Sequence, residues 1–310
     1  MTTTQPEPLF DTVALIGVGL IGSSVARAVR RDRVARRVVA GVRPGASAET
    51  LKSLNIVDAV IEDIPAAVKG ADLVILCTPV GSYGEIAKAI APQLKPGAII
   101  SDVGSVKQAV VDSVGPELPA GVHFVPAHPV AGTEHSGPAA GFAELFDGRW
   151  CILTPANGTD KDAVAKVKAF WERCGSTVEI MDAKHHDLVL AITSHVPHLI
   201  AYNIVGTASD LEAVTNSEVI KYSAGGFRDF TRIAASDPTM WRDVFLTNKD
   251  AVLEMLGRFS EDLTALQRAI RWGDGQALYE LFSRTRAIRR QIIDAGQETA
   301  RPDFGRQEKS

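Results

Sequence analysis

Two stretches of this chain carry side chains suited to redox chemistry on an alcohol. Gly17-Val18-Gly19-Leu20-Ile21-Gly22 has the GxGxxG spacing, and His128-Pro129-Val130-Ala131-Gly132-Thr133-Glu134 sets an imidazole among turn residues downstream. The first pattern suits a dinucleotide pyrophosphate. Gly17 permits a tight turn, Gly19 lets backbone approach the phosphates, and Gly22 lets a helix lie close on a strand. Leu20 and Ile21 then open a helix whose free N–H groups and positive dipole end point at the phosphates. Hydride removal from an alcohol also needs an acceptor for the hydroxyl proton, and a histidine titrating near neutrality suits that task. His128 is the candidate base. Ser105 and Lys107, and Glu134 beside His128, add polar groups from neighbouring loops.

These residues need a scaffold, and the first 180 residues alternate apolar β-branched runs with helical segments. Residues 13–17, 37–42, 73–77, 98–102 and 123–127 read as strands; 20–30, 81–91 and 106–114 read as helices between them. This rhythm predicts an α/β, Rossmann-type doubly wound sheet. A further strand, helix and strand at 151–154, 160–173 and 177–180 are expected to extend that sheet. Ligands of open α/β sheets lie beyond the carboxyl ends of the strands, so Thr78 and Pro79 after one strand and Ser105 after the next should flank the nicotinamide.

The acidic residue that grips the adenosine ribose of NAD should end the second strand, where Arg43 stands instead. A guanidinium pairs with a 2′-phosphate, with Ser47 able to assist, so NAD and NADP both stay open.

After Met181 strand signals vanish. Long apolar helical faces run over 188–208, 241–270 and 276–295, which predicts a dinucleotide-binding domain over 1–183 and an all-α domain over 184–310. So much apolar surface on the helical half predicts a homodimer formed through it. The last ten residues, 301–310, are polar and expected to fray.

The 310 residues, 45% of them hydrophobic, suffice for two cores. A net charge of -4 argues against nucleic acid and leaves a small-molecule substrate as the default partner. The arginine-rich stretches 27–37 and 284–290 read as solvated helix faces. Cys77, Cys151 and Cys174 have no CxxC spacing, which points to a reducing, cytoplasmic setting. Residues 1–11 lack a signal-peptide pattern, and no apolar stretch reaches the roughly 18 residues of a membrane span, so no membrane attachment is expected.

The chain resembles the prephenate and arogenate (cyclohexadienyl) dehydrogenase family. The resemblance rests on the glycine motif with Ser23-Ser24, on Asp102-Val103-Gly104-Ser105-Val106-Lys107, and on the segment from His128 to Glu134. It rests further on Ser194-His195-Val196-Pro197-His198, and on Gly225-Gly226-Phe227-Arg228-Asp229-Phe230-Thr231-Arg232 followed by Ser236-Asp237-Pro238-Thr239-Met240-Trp241. It implies oxidative decarboxylation of a cyclohexadienol with reduction of NAD(P). His128 would take or polarise the ring hydroxyl proton and Ser105 would hydrogen-bond the same hydroxyl. Arg232 would bind the side-chain carboxylate, with Arg228 at a position often held by lysine. His195 would lie near substrate, Glu134 would support the pocket or its gate, and Asp229 and Trp241 could come from the partner subunit.

Arg228 and Arg232, one turn apart, could share a helix face. Asp237-Pro238 reads as N-cap and N1 of a helix. His195 and His198, with His185, His186 and Asp187 upstream, invite a metal reading, but the chemistry needs none and Pro197 would disturb a rigid pair, so no metal is expected. Two other readings remain: a different Rossmann oxidoreductase of a small hydroxy or imino acid, and a non-catalytic nucleotide-sensing protein. No residue here reads the keto group of prephenate against the amino group of arogenate.

Overall fold

The structure, a computed structural model, describes residues 7–215, 221 and 224–294 and divides into two compact units, Met1–Lys249 and Asp250–Ser310. The expected helix end at Ala295, the polar tail 301–310 and most of the N-terminal stretch 1–11 lie outside the described residues.

Six parallel strands form the main sheet of the first unit, in the order β3-β2-β1-β4-β5-β6. They are β1 Phe10–Ile16, β2 Ala35–Gly41, β3 Ala59–Ile61, β4 Leu73–Leu76, β5 Ile99–Asp102 and β6 His123–Phe124. Between them run α1 Leu20–Arg31, α2 Ala46–Leu54, α3 Ile64–Ala67, α4 Tyr83–Ile90 and α5 Gln108–Val114. Strand residues alternate between the sheet faces, so Val13 and Leu15 enter one core with Val25 and Val29 of α1, while Ala14 and Ile16 enter a second with Tyr83 and Val110. Burial on both faces explains why these strands read as continuous apolar runs. The edge strand β3, only three residues long and half-buried, was too short to show as a periodic signal.

Two expectations about the sheet are corrected, and both bear on His128. Residues 123–127 do not form one strand: Pro126 has no N–H to give a ladder, β6 ends at Phe124, and a new strand, β7 Ala127–Pro129, starts after it. Nor do the later strands extend the main sheet. β8 Trp150–Leu153 pairs antiparallel with β7 and parallel with β9 Thr177–Ile180, which makes a separate three-stranded sheet. His128 is therefore a buried strand residue facing Ile152 in the ladder. The helix α6 Lys161–Arg173 follows β8 and buries Phe170 and Trp171 in the first core.

From Ala183 the chain is helical: α7 Ala183–Leu190, a π-turn over Ala191–His195, α8 Val196–Thr215, α9 Gly225–Thr231 and α10 Pro238–Thr247. The second unit holds α11 Lys249–Trp272, apart from its first residue, and α12 Gly275–Asp294. The helix expected over 241–270 is thus two, parted at Asn248, whose side chain is used inside the first unit. Asp237 does cap α10, accepting from Thr239 N at 2.8 Å and Met240 N at 2.9 Å.

One further correction concerns apolarity. Ala183–Leu211 is, by length and a mean hydropathy of 1.5, long and apolar enough to cross a membrane. Counting uninterrupted apolar residues overlooked it because Thr193, Ser194, His195, His198 and Asn203 are spaced among the aliphatic ones.

Candidate active site

The glycine motif connects β1 to α1. Gly17 sits at φ +77, and a Cβ there would stand 2.3 Å from Thr78 Cγ2, so the turn closes only around glycine. A Cβ on Gly22 would meet the Gly17 carbonyl oxygen at 2.8 Å, whereas one on Gly19 would meet nothing within 4 Å. Gly19 thus marks the open side of the turn. The helix begins at Leu20 and Ile21 with no side-chain cap and no acidic residue in its first turn, which leaves its amides and dipole for an anion. Thr78 stands against Gly17 with its Oγ1 accepting from Ser82 Oγ at 2.8 Å, and Pro79 is exposed beside it. These residues fit a dinucleotide. Arg43 is exposed just beyond the end of β2.

The chain after His128 returns to this helix. Phe142 N donates to Ser24 Oγ at 3.2 Å, and a Cβ on Gly141 would stand 2.8 Å from Ser24 N. The loop that follows His128 and Glu134 is thereby packed onto α1.

His128 belongs to a buried relay. Its Nδ1 lies 2.8 Å from His186 Nε2, and His186 Nδ1 lies 2.8 Å from Asp187 Oδ1. Asp187 also accepts from Lys107 N at 2.7 Å and Gln108 N at 2.9 Å, so it caps α5 while serving His186. The direction of the relay follows from its acceptor end. Asp187 accepts, so His186 Nδ1 donates; neutral His186 then accepts at Nε2, and His128 donates from Nδ1. That leaves His128 with a bare lone pair at Nε2, able to accept a proton. Burial, with the neighbouring His186, Lys107 and His195, holds His128 well below the usual histidine range. Burial likewise lowers His186, against the attraction of Asp187. Both shifts favour the neutral imidazole.

An ion pair below the relay fixes its strand. Lys107 and Asp102 are both fully buried and bonded to each other; Lys107 Nζ also donates to Ala127 O at 2.8 Å, and Asp102 Oδ1 accepts from Ala127 N at 3.0 Å. Burial drives the Asp102 carboxyl up and the Lys107 amine down, while their mutual attraction and hydrogen bond oppose both shifts. Every remaining contact of the pair goes to backbone: Asp102 Oδ2 takes the Gly104 N–H at 2.8 Å. The end of β5 and the start of β7 are clamped at the residue before His128.

His195 stands on the other side of Asp187. Asn248 Nδ2 donates to Asp187 O at 2.9 Å and lies 3.1 Å from His195 Nδ1. The Ser105 backbone lies against the His195 ring, which brings Ser105 and His195 together at the end of β5. Burial pushes His195 down to about 4.

The expected cations divide. Arg232 Nη1 meets Glu134 Oε2 at 3.4 Å, linking the helical segment to the loop after His128. Arg228 is 79% exposed and lies 3.5 Å from its neighbour Asp229. α9 ends at Thr231 and Arg232 opens a 3-10 turn, so the two arginines stand on adjoining elements. Trp241 is buried within its own chain, stacked on His198 with ring centroids 3.6 Å apart.

Sequence reasoning did not assign His186, Asp187, Asn248 or the Asp102–Lys107 pair. The run His185-His186-Asp187 was visible, but only as a metal question; the signal lay in its two buried members, which no local pattern marks.

A family model described as prephenate dehydrogenase, nucleotide-binding domain, matches residues 25–180, and one described as prephenate dehydrogenase, dimerization domain, matches residues 182–284. Cyclohexadienyl dehydrogenase of Zymomonas mobilis is 44% identical over 91% of this chain and 96% of its own. This chain belongs to the prephenate dehydrogenase family. Among solved structures, Aquifex aeolicus prephenate dehydrogenase in complex with hydroxyphenyl propionate and NAD+ matches at TM-score 0.85 and 35% identity, over 91% of this chain and 98% of its own. Synechocystis arogenate dehydrogenase matches at TM-score 0.75 and 25% identity, over 91% of this chain and 99% of its own. As a prephenate dehydrogenase family member, the chain places the apolar helical run 183–211 in the region matched by the dimerization-domain model.

Proposed function

We propose that this protein oxidatively decarboxylates prephenate, arogenate or both with reduction of NAD(P), giving 4-hydroxyphenylpyruvate or tyrosine. The observation that carries the mechanism is the His128–His186–Asp187 relay in the unit that also carries a dinucleotide-binding turn. Gly17, Gly19, Leu20, Ile21, Gly22, Thr78, Pro79 and Ser105 would hold the cofactor, and Arg43 its adenosine end. A bound nicotinamide would supply the hydride acceptor for the ring alcohol. His128 takes the hydroxyl proton at Nε2, and the developing imidazolium is stabilised through His186 toward Asp187. Ser105 hydrogen-bonds the same hydroxyl. Arg232 binds the side-chain carboxylate, exchanging or sharing its pairing with Glu134, while Arg228, Asp229, His195 and Trp241 shape the pocket. Loss of the ring carboxylate as carbon dioxide restores aromaticity, so no strong acid is needed.

Residues 1–183 serve as the dinucleotide-binding domain and 184–310 as the helical domain through which two copies pair. Three free cysteines, two of them buried, accord with a reducing cytoplasmic setting. The test is nicotinamide absorbance with prephenate and with arogenate, each with NAD and with NADP. Turnover with at least one pair is expected, and His128→Asn should lower kcat about 10²-fold or more with cofactor affinity nearly unchanged. Near-normal turnover by His128→Asn would sink the mechanism.

A further inference from the structure

Asn248 is 6% exposed and sits at the break between α10 and α11, where both hydrogens of its amide nitrogen are directed inward. One partner, the Asp187 carbonyl oxygen at 2.9 Å, can only accept, so the atom facing it must be the nitrogen. The same nitrogen lies 3.1 Å from His195 Nδ1 and has a second hydrogen to give. Nδ1 must then be the bare, accepting nitrogen, and the proton of the neutral ring must sit on Nε2. That Nε2 is fully buried, and no described residue offers it a hydrogen bond in proper geometry, although the Ser105 backbone lies against the ring. A buried donor whose only neighbour falls short of a proper hydrogen bond is costly, and such a cost is kept where a ligand supplies the better partner.

We propose that Asn248 is a positioning residue that locks His195 as an Nε2–H donor toward an oxygen acceptor of the substrate, on the Ser105 side of the ring. The pocket role of His195 rests on the function proposed above; the tautomer does not. Asn248 also ties His195 to the backbone of Asp187, so the donor and the proton-accepting relay share one anchor. Burial, which keeps His195 uncharged above about pH 4, makes the arm a neutral hydrogen-bond donor while the arginine supplies charge.

The test is long-range proton–nitrogen NMR of the full-length protein labelled with nitrogen-15 in histidine, with His195 assigned by comparison with His195→Gln. The wild-type protein at pH 7.5 should show His195 with bare Nδ1 and protonated Nε2. Asn248→Asp replaces the donor by an acceptor and should invert that pattern; KM for the cyclohexadienol should rise about tenfold or more, with kcat less affected. Asn248→Ser, whose hydroxyl can still donate, should keep the wild-type tautomer and serves if the aspartate variant does not fold. A wild-type ring protonated on Nδ1 overturns the proposal, as does an unchanged tautomer in Asn248→Asp. Inversion with unchanged KM overturns the contact with substrate, a result separable from failure of the relay, which His128→Asn reads independently.

Discussion

His128 shows how much of a residue's chemistry is set by what surrounds it. An exposed imidazole titrates near 6.5; this one is buried in β7 and held well below that. The consequence for stability has a definite sign. The unfolded chain takes up protons near pH 6.5 that the folded His128, His186, His195 and His198 refuse, so stability is full above pH 6.5 and falls as the pH drops below it. Urea midpoints at pH 7.5 and 5.5 should show the lower value at pH 5.5. The acid limb of kcat/KM should likewise lie below pH 6.5, because the free base is already neutral there. Arg232 is paired with Glu134 at 3.4 Å and 45% exposed, and in the proposed mechanism it binds rather than reacts. Arg232→Ala should raise KM about tenfold or more at nearly constant kcat, measured by initial rates.

At the scale of elements, the site is a joint between two sheets. β5 ends in Asp102, β7 begins at Ala127, and the Lys107 side chain bridges them from the turn before α5. The chain changes sheet here because Pro126 cannot continue the ladder, and the buried ion pair replaces the lost ladder contacts. Lys107→Met should leave Asp102 buried without its partner and cost about 3 kcal/mol or more, read as a lower urea midpoint. Turnover of the surviving folded enzyme should fall too, since residue 127 adjoins His128. The motif containing Ser105 and Lys107 was legible in the sequence, as were the strands and α1. The sheet change was not, because Phe124 and Val125 before the proline and Ala127 after it are apolar, so that 123–127 read as one strand.

For the whole molecule, the second unit carries many exposed apolar side chains, Leu253, Leu263, Ile270 and Trp272 among them. None of the described residues of α12 is buried in the single chain, and Tyr279 and Phe282 are 68% and 57% exposed. A helix with so much bare apolar surface calls for a partner, and the family model for residues 182–284 is that of a dimerization domain. Light scattering should find a dimer, and Tyr279→Glu together with Phe282→Asp should shift it to monomer.

What the sequence determined by itself was local or contiguous: the glycine turn, the strand and helix rhythm, the motif around His128, and the family they indicate. Arg43 was equally plain, and its cofactor preference stays with the assay. Tertiary structure decided the rest. His186 lies 58 residues from His128, Asp187 lies 80 from Lys107, and Asn248 lies 61 from Asp187 and 53 from His195. In the sequence these are ordinary polar residues on helical segments. Only folding removes them from water and forces each to find a partner, and in a buried network the partner determines which imidazole nitrogen carries the proton.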